Sequence, residues 1–207
     1  MVPNEKNGPI RRFIIDHALR RARPGSGSSR AFLMDRTWNG PHTATLDRSR
    51  LSTPYVVVGA VATALYMPER ATPGLDLLTT ASDAPALRSE LEALGCTYAG
   101  SLSIGGSTWR TPSGGTLDVI ESDEPWVAEA LAAPNRAPDG SPVVSLPYLV
   151  LMKLDASRAQ DVADATRMLG LADEGARNEV RRVLVQYRPE YLQDVESMIV
   201  IGELELQ

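Results

Sequence analysis

A single cysteine, Cys96, and two histidines, His17 and His42, are the only thiol and imidazole side chains among the 207 residues. One cysteine cannot form an intrachain disulfide, and these three residues cannot build a zinc site, so the expected compartment is the cytoplasm. Aromatic residues make up only 5% of the chain, which excludes a broad stacking platform for bases or sugars. No apolar run approaches the roughly 20 residues needed to cross a bilayer, so a membrane is not an expected partner. The first residues hold Arg11 and Arg12 but no apolar run followed by a small-residue cleavage site, and no signal peptide is expected.

What is present is an ordinary globular composition, 43% hydrophobic. The length suffices for one domain with a real core, or for a core and a helical appendage. The net charge of −5 is unevenly spread: residues 1–50 hold 10 Lys/Arg against 4 Asp/Glu, and the remainder is acidic. Three segments are expected: a basic arm over 1–50, a core over 51–145 and a helical region over 146–207. A basic arm on an acidic body either touches nucleic acid or packs on that body, and composition leaves both open.

The stretch from 55 to 78, YVVVGAVATALYMPERATPGLDLL, organises the rest. A four-residue apolar run with three valines, Tyr55 to Val58, predicts a strand covered on both faces. Gly59 then permits a tight turn or a close backbone approach. A short apolar helix over 60–66 and a second strand from Leu75, carrying Asp76, complete the unit.

Before this stretch, Pro9 and the spacing of Ile10, Phe13, Ile14, Ala18 and Leu19 predict an amphipathic helix over 9–23. Residues 24–29 read as a flexible linker, and short strands are expected at 31–34 and 43–46, with Trp38 and His42 between them. Beyond it, Asp83 is an expected cap for a helix reaching Leu94. Glycine and proline at 105–106 and 112–115 predict hairpins, with Asp118 on the strand face opposite Leu117 and Val119. A short helix over 124–132, a strand at Val143-Val144 and four C-terminal helices follow, the second opened by a capping box at Ser157 to Gln160.

The frame strand, Gly59-Ala60, short helix, Arg70-Ala71-Thr72-Pro73-Gly74-Leu75-Asp76-Leu77 resembles the core of the nucleotidyltransferase-like superfamily, especially its minimal and abortive-infection toxin branches. The resemblance covers about 53–170 and implies an α/β (α+β) fold, a mixed sheet flanked by helices with a C-terminal helical layer. It also implies Mg²⁺-dependent transfer of a nucleotidyl group from an NTP to a protein, RNA or small-molecule hydroxyl. Such transfer uses carboxylates on adjacent strands to hold metal ions, and an Asp-x-Asp strand presents both acids on one face. Asp76 corresponds to the second acid and Asp118 to the third, both as metal ligands, but the position of the first is Gly74. Glu69, the nearest acid in sequence, lies in the preceding loop.

The same resemblance implies nucleotide contacts at Gly59, Ala60, Thr63 and Arg70, phosphate binding by Lys153, and Asp161 as its helper. The residues themselves allow another reading of 153–164: an ion-paired helix junction, with Arg158, Asp161 and Asp164 paired to surface neighbours. Gly74 likewise leaves room for a catalytically lapsed member that binds a nucleotide or a partner, with a toxin–antitoxin role resting on family likeness alone.

Overall fold

A computed structural model describes residues 8–25, 46–68 and 74–207. The expected strand at 31–34, all of that at 43–46 but its last residue, most of the linker, Trp38, His42, Glu69 and Arg70 lie outside the described residues. The described chain forms two compact units, a sheet unit (46–64 and 74–145) and a helical unit (8–25, 65–68 and 146–207).

The sheet unit is a seven-stranded mixed sheet in the order β3-β4-β5-β2-β1-β7-β6. Its strands are β1 (Val56–Val58), β2 (Gly74–Thr80), β3 (Thr97–Ser101), β4 (Gly106–Arg110), β5 (Thr116–Ser122), β6 (Asn135–Arg136) and β7 (Pro142–Val143). Strand β1 sits between antiparallel β2 and parallel β7, and all three valines are buried, as a strand covered on both faces requires. Parallel pairing of β2 with β5 brings Asp76 and Asp118 into register at the sheet centre. On the opposite face Leu75, Leu77, Leu117, Val119 and Trp109 are fully buried, the core that fixes the register of both strands.

Three helices belong to this unit: α2 (Gly59–Thr63), α3 (Ala84–Ala93) and α4 (Pro125–Ala132). Helix α2 ends at Thr63, three residues short of the expected Tyr66. Asp83 stands at the N-cap of α3, but its carboxylate makes no cap bond and instead accepts the Thr80 hydroxyl at 2.7 Å. The Thr80 side chain, adjacent at the end of β2, competes for the same acceptor.

The helical unit contains α1 (Gly8–Arg21), α5 (Leu146–Ala156), α6 (Ala159–Leu171), α7 (Glu174–Tyr187) and α8 (Leu192–Leu206), the last preceded by a 3₁₀ turn at Pro189–Tyr191. Helix α1 inverts the expected orientation. Ile10 and Phe13 are exposed, while Arg11 and Ile15 face inward. The cause is a buried polar receptor for Arg11: its guanidinium donates to Asp194 at 2.7 Å, to the Leu154 carbonyl at 3.0 Å and to the Ser157 hydroxyl at 2.7 Å. It also lies 4.1 Å from the Tyr191 ring centroid, a cation–π contact. Burial, with the neighbouring Asp155 carboxylate that accepts its hydroxyl, raises the Tyr191 phenol to about 12.

Ser157 does not cap α6. It adopts φ 53°, closing α5 in the left-handed region, and its hydroxyl donates to the Leu154 carbonyl. Arg158 occupies the N-cap, and the Gln160 amide goes to Asp164 at 2.8 Å. At the other end of α6, Arg177 donates to the carbonyls of Leu169 and Gly170, satisfying groups that the helix end leaves unpaired.

Helices α6 and α8 cross with their backbones in contact at Gly170 and Gly202. A Cβ on Gly202 would lie 2.5 Å from the Thr166 carbonyl oxygen and 2.7 Å from Gly170 Cα. Backbone atoms at a helix crossing cannot move aside as a side chain can. Gly202→Ala is therefore expected to cost about 1–3 kcal/mol, read as a lowered urea midpoint at unchanged slope.

Candidate functional site

Sheet register assembles the candidate site row by row. Val58, Asp76, Asp118 and Thr108 form one row across β1, β2, β5 and β4. Gly74, Thr116 and Arg110 form the next row on the same face, because side chains on a strand return to one face every second residue. Neighbouring strands are about 4.8 Å apart, so the two carboxylates stand side by side. Both acids are half-buried, and Asp118 Oδ1 is buried with no hydrogen-bond partner. An unpaired carboxylate oxygen in such a place carries a desolvation penalty that a cation or a donated proton would remove.

Gly59 holds Asp76 in position from the side of β1. Its φ of +68° is a conformation that glycine adopts without strain. A Cβ at this position would fall inside the Asp76 Oδ2 atom and 2.7 Å from its Cγ. The carboxylate thus rests directly against the glycine backbone at the start of α2. Ala60 follows, half-buried, and its carbonyl accepts the Thr63 hydroxyl at 2.6 Å. Thr63 is wholly buried, and its hydroxyl proton is committed within its own turn.

Gly74 gives the face no ligand, and it leaves space. A Cβ there would meet only the Thr116 carbonyl oxygen, at 3.6 Å. Among the described residues no group of three or more His, Cys, Asp and Glu could hold a metal ion. The donor set that remains, two adjacent carboxylates with one orphaned oxygen, fits a single hard divalent cation such as Mg²⁺. That ion accepts one or two protein carboxylates and takes its other ligands from water and phosphate. A second metal has no carboxylate of its own among these residues.

Lys153 belongs to the helical unit, in a buried ion-pair cluster. Its ammonium donates to Asp161 at 2.9 Å and to Asp164 at 2.7 Å, and all three side chains are nearly inaccessible. Arg158 adds a bond to Asp161 at 2.6 Å from a largely exposed side chain. Two cations thus face two carboxylates. Burial pushes the Asp161 carboxyl up, but the hydrogen bond from Arg158 and the charge of Lys153 outweigh it and hold the group below the ordinary range.

Three residues on the acid face were not singled out from the sequence: Thr108, Thr116 and Arg110. The signal was available. The turn at 112–115 sets Arg110 opposite Thr116 once the hairpin register is drawn, and Thr116 is two residues from Asp118.

No protein-family model matches the chain, and no curated protein matches it. Among solved structures, the chain is similar to the solution structure of the antibiotic-resistance factor ANT(2'')-Ia, at 15% identity over 91% of this chain and 88% of that one, with a TM-score of 0.42. It is also similar to the crystal structure of ANT(2'')-Ia in complex with adenylyl-2''-tobramycin, at 18% identity over 72% of this chain and 87% of that one, with a TM-score of 0.36. Values this low assign no role to any residue of this chain.

Proposed function

We propose that the chain is a nucleotide-binding protein that transfers a nucleotidyl group from an NTP to a hydroxyl acceptor, with Asp76 and Asp118 as its acidic pair. The observation that carries this reading is the in-register placement of the two carboxylates on parallel β2 and β5, with Asp118 Oδ1 buried and unpartnered. A divalent cation bound there would neutralise charge developing on the phosphates. In the transfer the acceptor oxygen forms a bond to the α-phosphorus, the bond from that phosphorus to the bridging oxygen breaks, and pyrophosphate leaves. The acceptor hydroxyl proton passes to a carboxylate oxygen of the pair, directly or through water. The hydroxyl can belong to a protein, an RNA or a small molecule.

A second reading is supported by Gly74 and by the Lys153 ion pairs. With two acids rather than three on the face, and the lysine ammonium facing two carboxylates of its own unit, the chain binds a nucleotide or a partner without transfer.

Calorimetric titration of ATP, GTP, CTP and UTP, with and without Mg²⁺, tests both. Mg²⁺-dependent binding of at least one nucleotide is expected in the wild type, weakened at least tenfold in Asp76→Asn and Asp118→Asn, since hydrogen bonds to charged groups contribute about 1.5–3 kcal/mol. No binding of any of the four would sink both nucleotide readings. Binding without pyrophosphate release, across a set of hydroxyl acceptors, would leave the second.

A further inference from the structure

We propose that Arg110 is the phosphate-holding cation of this face, taking oxygens of the nucleotide triphosphate beside the acidic pair; the inference rests on the nucleotide reading above. Register settles which way Arg110 faces. Thr108 pairs with Asp118 and Arg110 pairs with Thr116, so residues 108 and 110 share the face of the acids. The hydrogen bond from Arg110 Nη1 to Thr116 Oγ1, at 3.0 Å, places the guanidinium over β5 on that face. Arg110 and Asp118 are diagonal neighbours, a separation of about 7–8 Å between Cα atoms that a long side chain can span. Yet Arg110 makes no ion pair with Asp118, and among the described residues the Thr116 hydroxyl is its one hydrogen-bond partner.

That contrasts with the other strong cations near either unit's acids. Arg88 is committed to Glu121 on the opposite face of β5, Arg48 to Asp139, and Lys153 to Asp161 and Asp164. Arg110 is also exposed, and the third member of its row, Gly74, has no side chain. Two carboxylates, an exposed arginine and two threonine hydroxyls therefore line one patch of the sheet, with open floor at Gly74. A lone anion would be repelled by the acids, and a lone cation by the arginine. A cation–phosphate pair satisfies both, with the metal on the carboxylates and phosphate oxygens on the guanidinium fork. Where a second metal has no carboxylate, the arginine supplies the missing positive charge.

The test is calorimetric titration of Mg²⁺ with a nucleoside triphosphate, diphosphate and monophosphate against wild type, Arg110→Ala and Arg110→Lys, with thermal melts as a folding control. The nucleotide is whichever of the four common bases the wild type binds. Arg110→Ala is expected to weaken triphosphate binding by roughly 10- to 100-fold, from the loss of a charged hydrogen-bond donor. Monophosphate binding should change little, so the preference for triphosphate over monophosphate collapses. Arg110→Lys should fall between, keeping the charge but losing the fork. Triphosphate binding unchanged in Arg110→Ala overturns the assignment and leaves the nucleotide reading standing. Equal weakening of triphosphate and monophosphate also overturns it, because the residue then acts on the nucleoside or the fold. No nucleotide binding by the wild type overturns the assignment together with the reading beneath it.

Discussion

Lys153→Met is expected to lower the unfolding free energy by about 3–5 kcal/mol. The ammonium lies between Asp161 and Asp164, and neither carboxylate reaches solvent. Methionine fills nearly the same volume, so the loss is electrostatic and not a cavity. Asp161 keeps Arg158 and Asp164 keeps the Gln160 amide, but the buried pair of carboxylates loses the cation that both share. Replacing all three partners, as Lys153→Met with Asp161→Asn and Asp164→Asn, should recover most of the loss, because the buried charges are then removed together. Urea denaturation of the two variants checks this directly.

The pH dependence gives a second handle on the same cluster. In the wild type the folded Asp161 carboxyl titrates below its unfolded value of about 4, so its stabilisation is complete above that value. It is lost as the pH falls through the lower folded value. In Lys153→Met the charge that helps hold the Asp161 carboxyl down is gone while Arg158 remains, so less stability should be lost on acidification than in the wild type. A variant that loses as much stability as the wild type when the pH falls below about 4 would show that Lys153 is not the counter-charge. Should the variant match the wild type in stability but lose NTP affinity, the lysine acts as a ligand contact, not as part of the fold.

The mixed sheet flanked by helices was legible because it depends on local signals. Three consecutive valines mark a strand covered on both faces, and the glycine and proline pairs at 105–106 and 112–115 mark the hairpin turns. Helix α5 and the later helices follow from proline, glycine and Asp173, whose carboxylate does accept the Ala176 amide at 2.8 Å. What could not be read was set by partners far away in the chain. Arg11 faces inward because Asp194, 183 positions on, receives it, and no periodicity in 9–23 contains that information. The capping box at 157–160 failed for a related reason. Ser157 is drawn into the left-handed region between Arg11 and the Leu154 carbonyl, which moves the N-cap to Arg158.

The candidate site divides in the same way. Asp76 and Asp118 are named by the resemblance of their segments to a known superfamily, and the alternating frame of the strand adds only the face that Asp118 takes. Their adjacency depends on the parallel register of two strands separated by a helix and a hairpin, which a motif suggests and only the fold supplies. Arg110 and Thr108 are invisible to a motif search because they enter the face through antiparallel pairing with β5. At 153–164 the residues fit a phosphate contact by Lys153 and a junction paired to surface neighbours equally well. The ion pairs of the structure are instead buried, and Lys153 is their centre.

Gly59→Ala should lose about 2–4 kcal/mol of stability and abolish Mg²⁺-dependent nucleotide binding together, through two separate effects. The first is conformational. At φ +68° any L-residue bears a left-handed penalty of about 1–2 kcal/mol. The second is steric and local, because the new methyl would occupy the place of the Asp76 carboxylate, with the Asp76 Cγ only 2.7 Å away. The carboxylate can turn aside, but β2 is fixed by its register with β1 and β5, so turning aside means leaving the row it shares with Asp118. The double variant Gly59→Ala with Asp76→Ala separates the two effects. Removing the carboxylate should return the steric part of the stability and leave the φ penalty, while binding stays lost. If Gly59→Ala alone keeps wild-type affinity for Mg²⁺-nucleotide, then the carboxylate resting on that glycine does not hold the cation, and the acid pair is not the site.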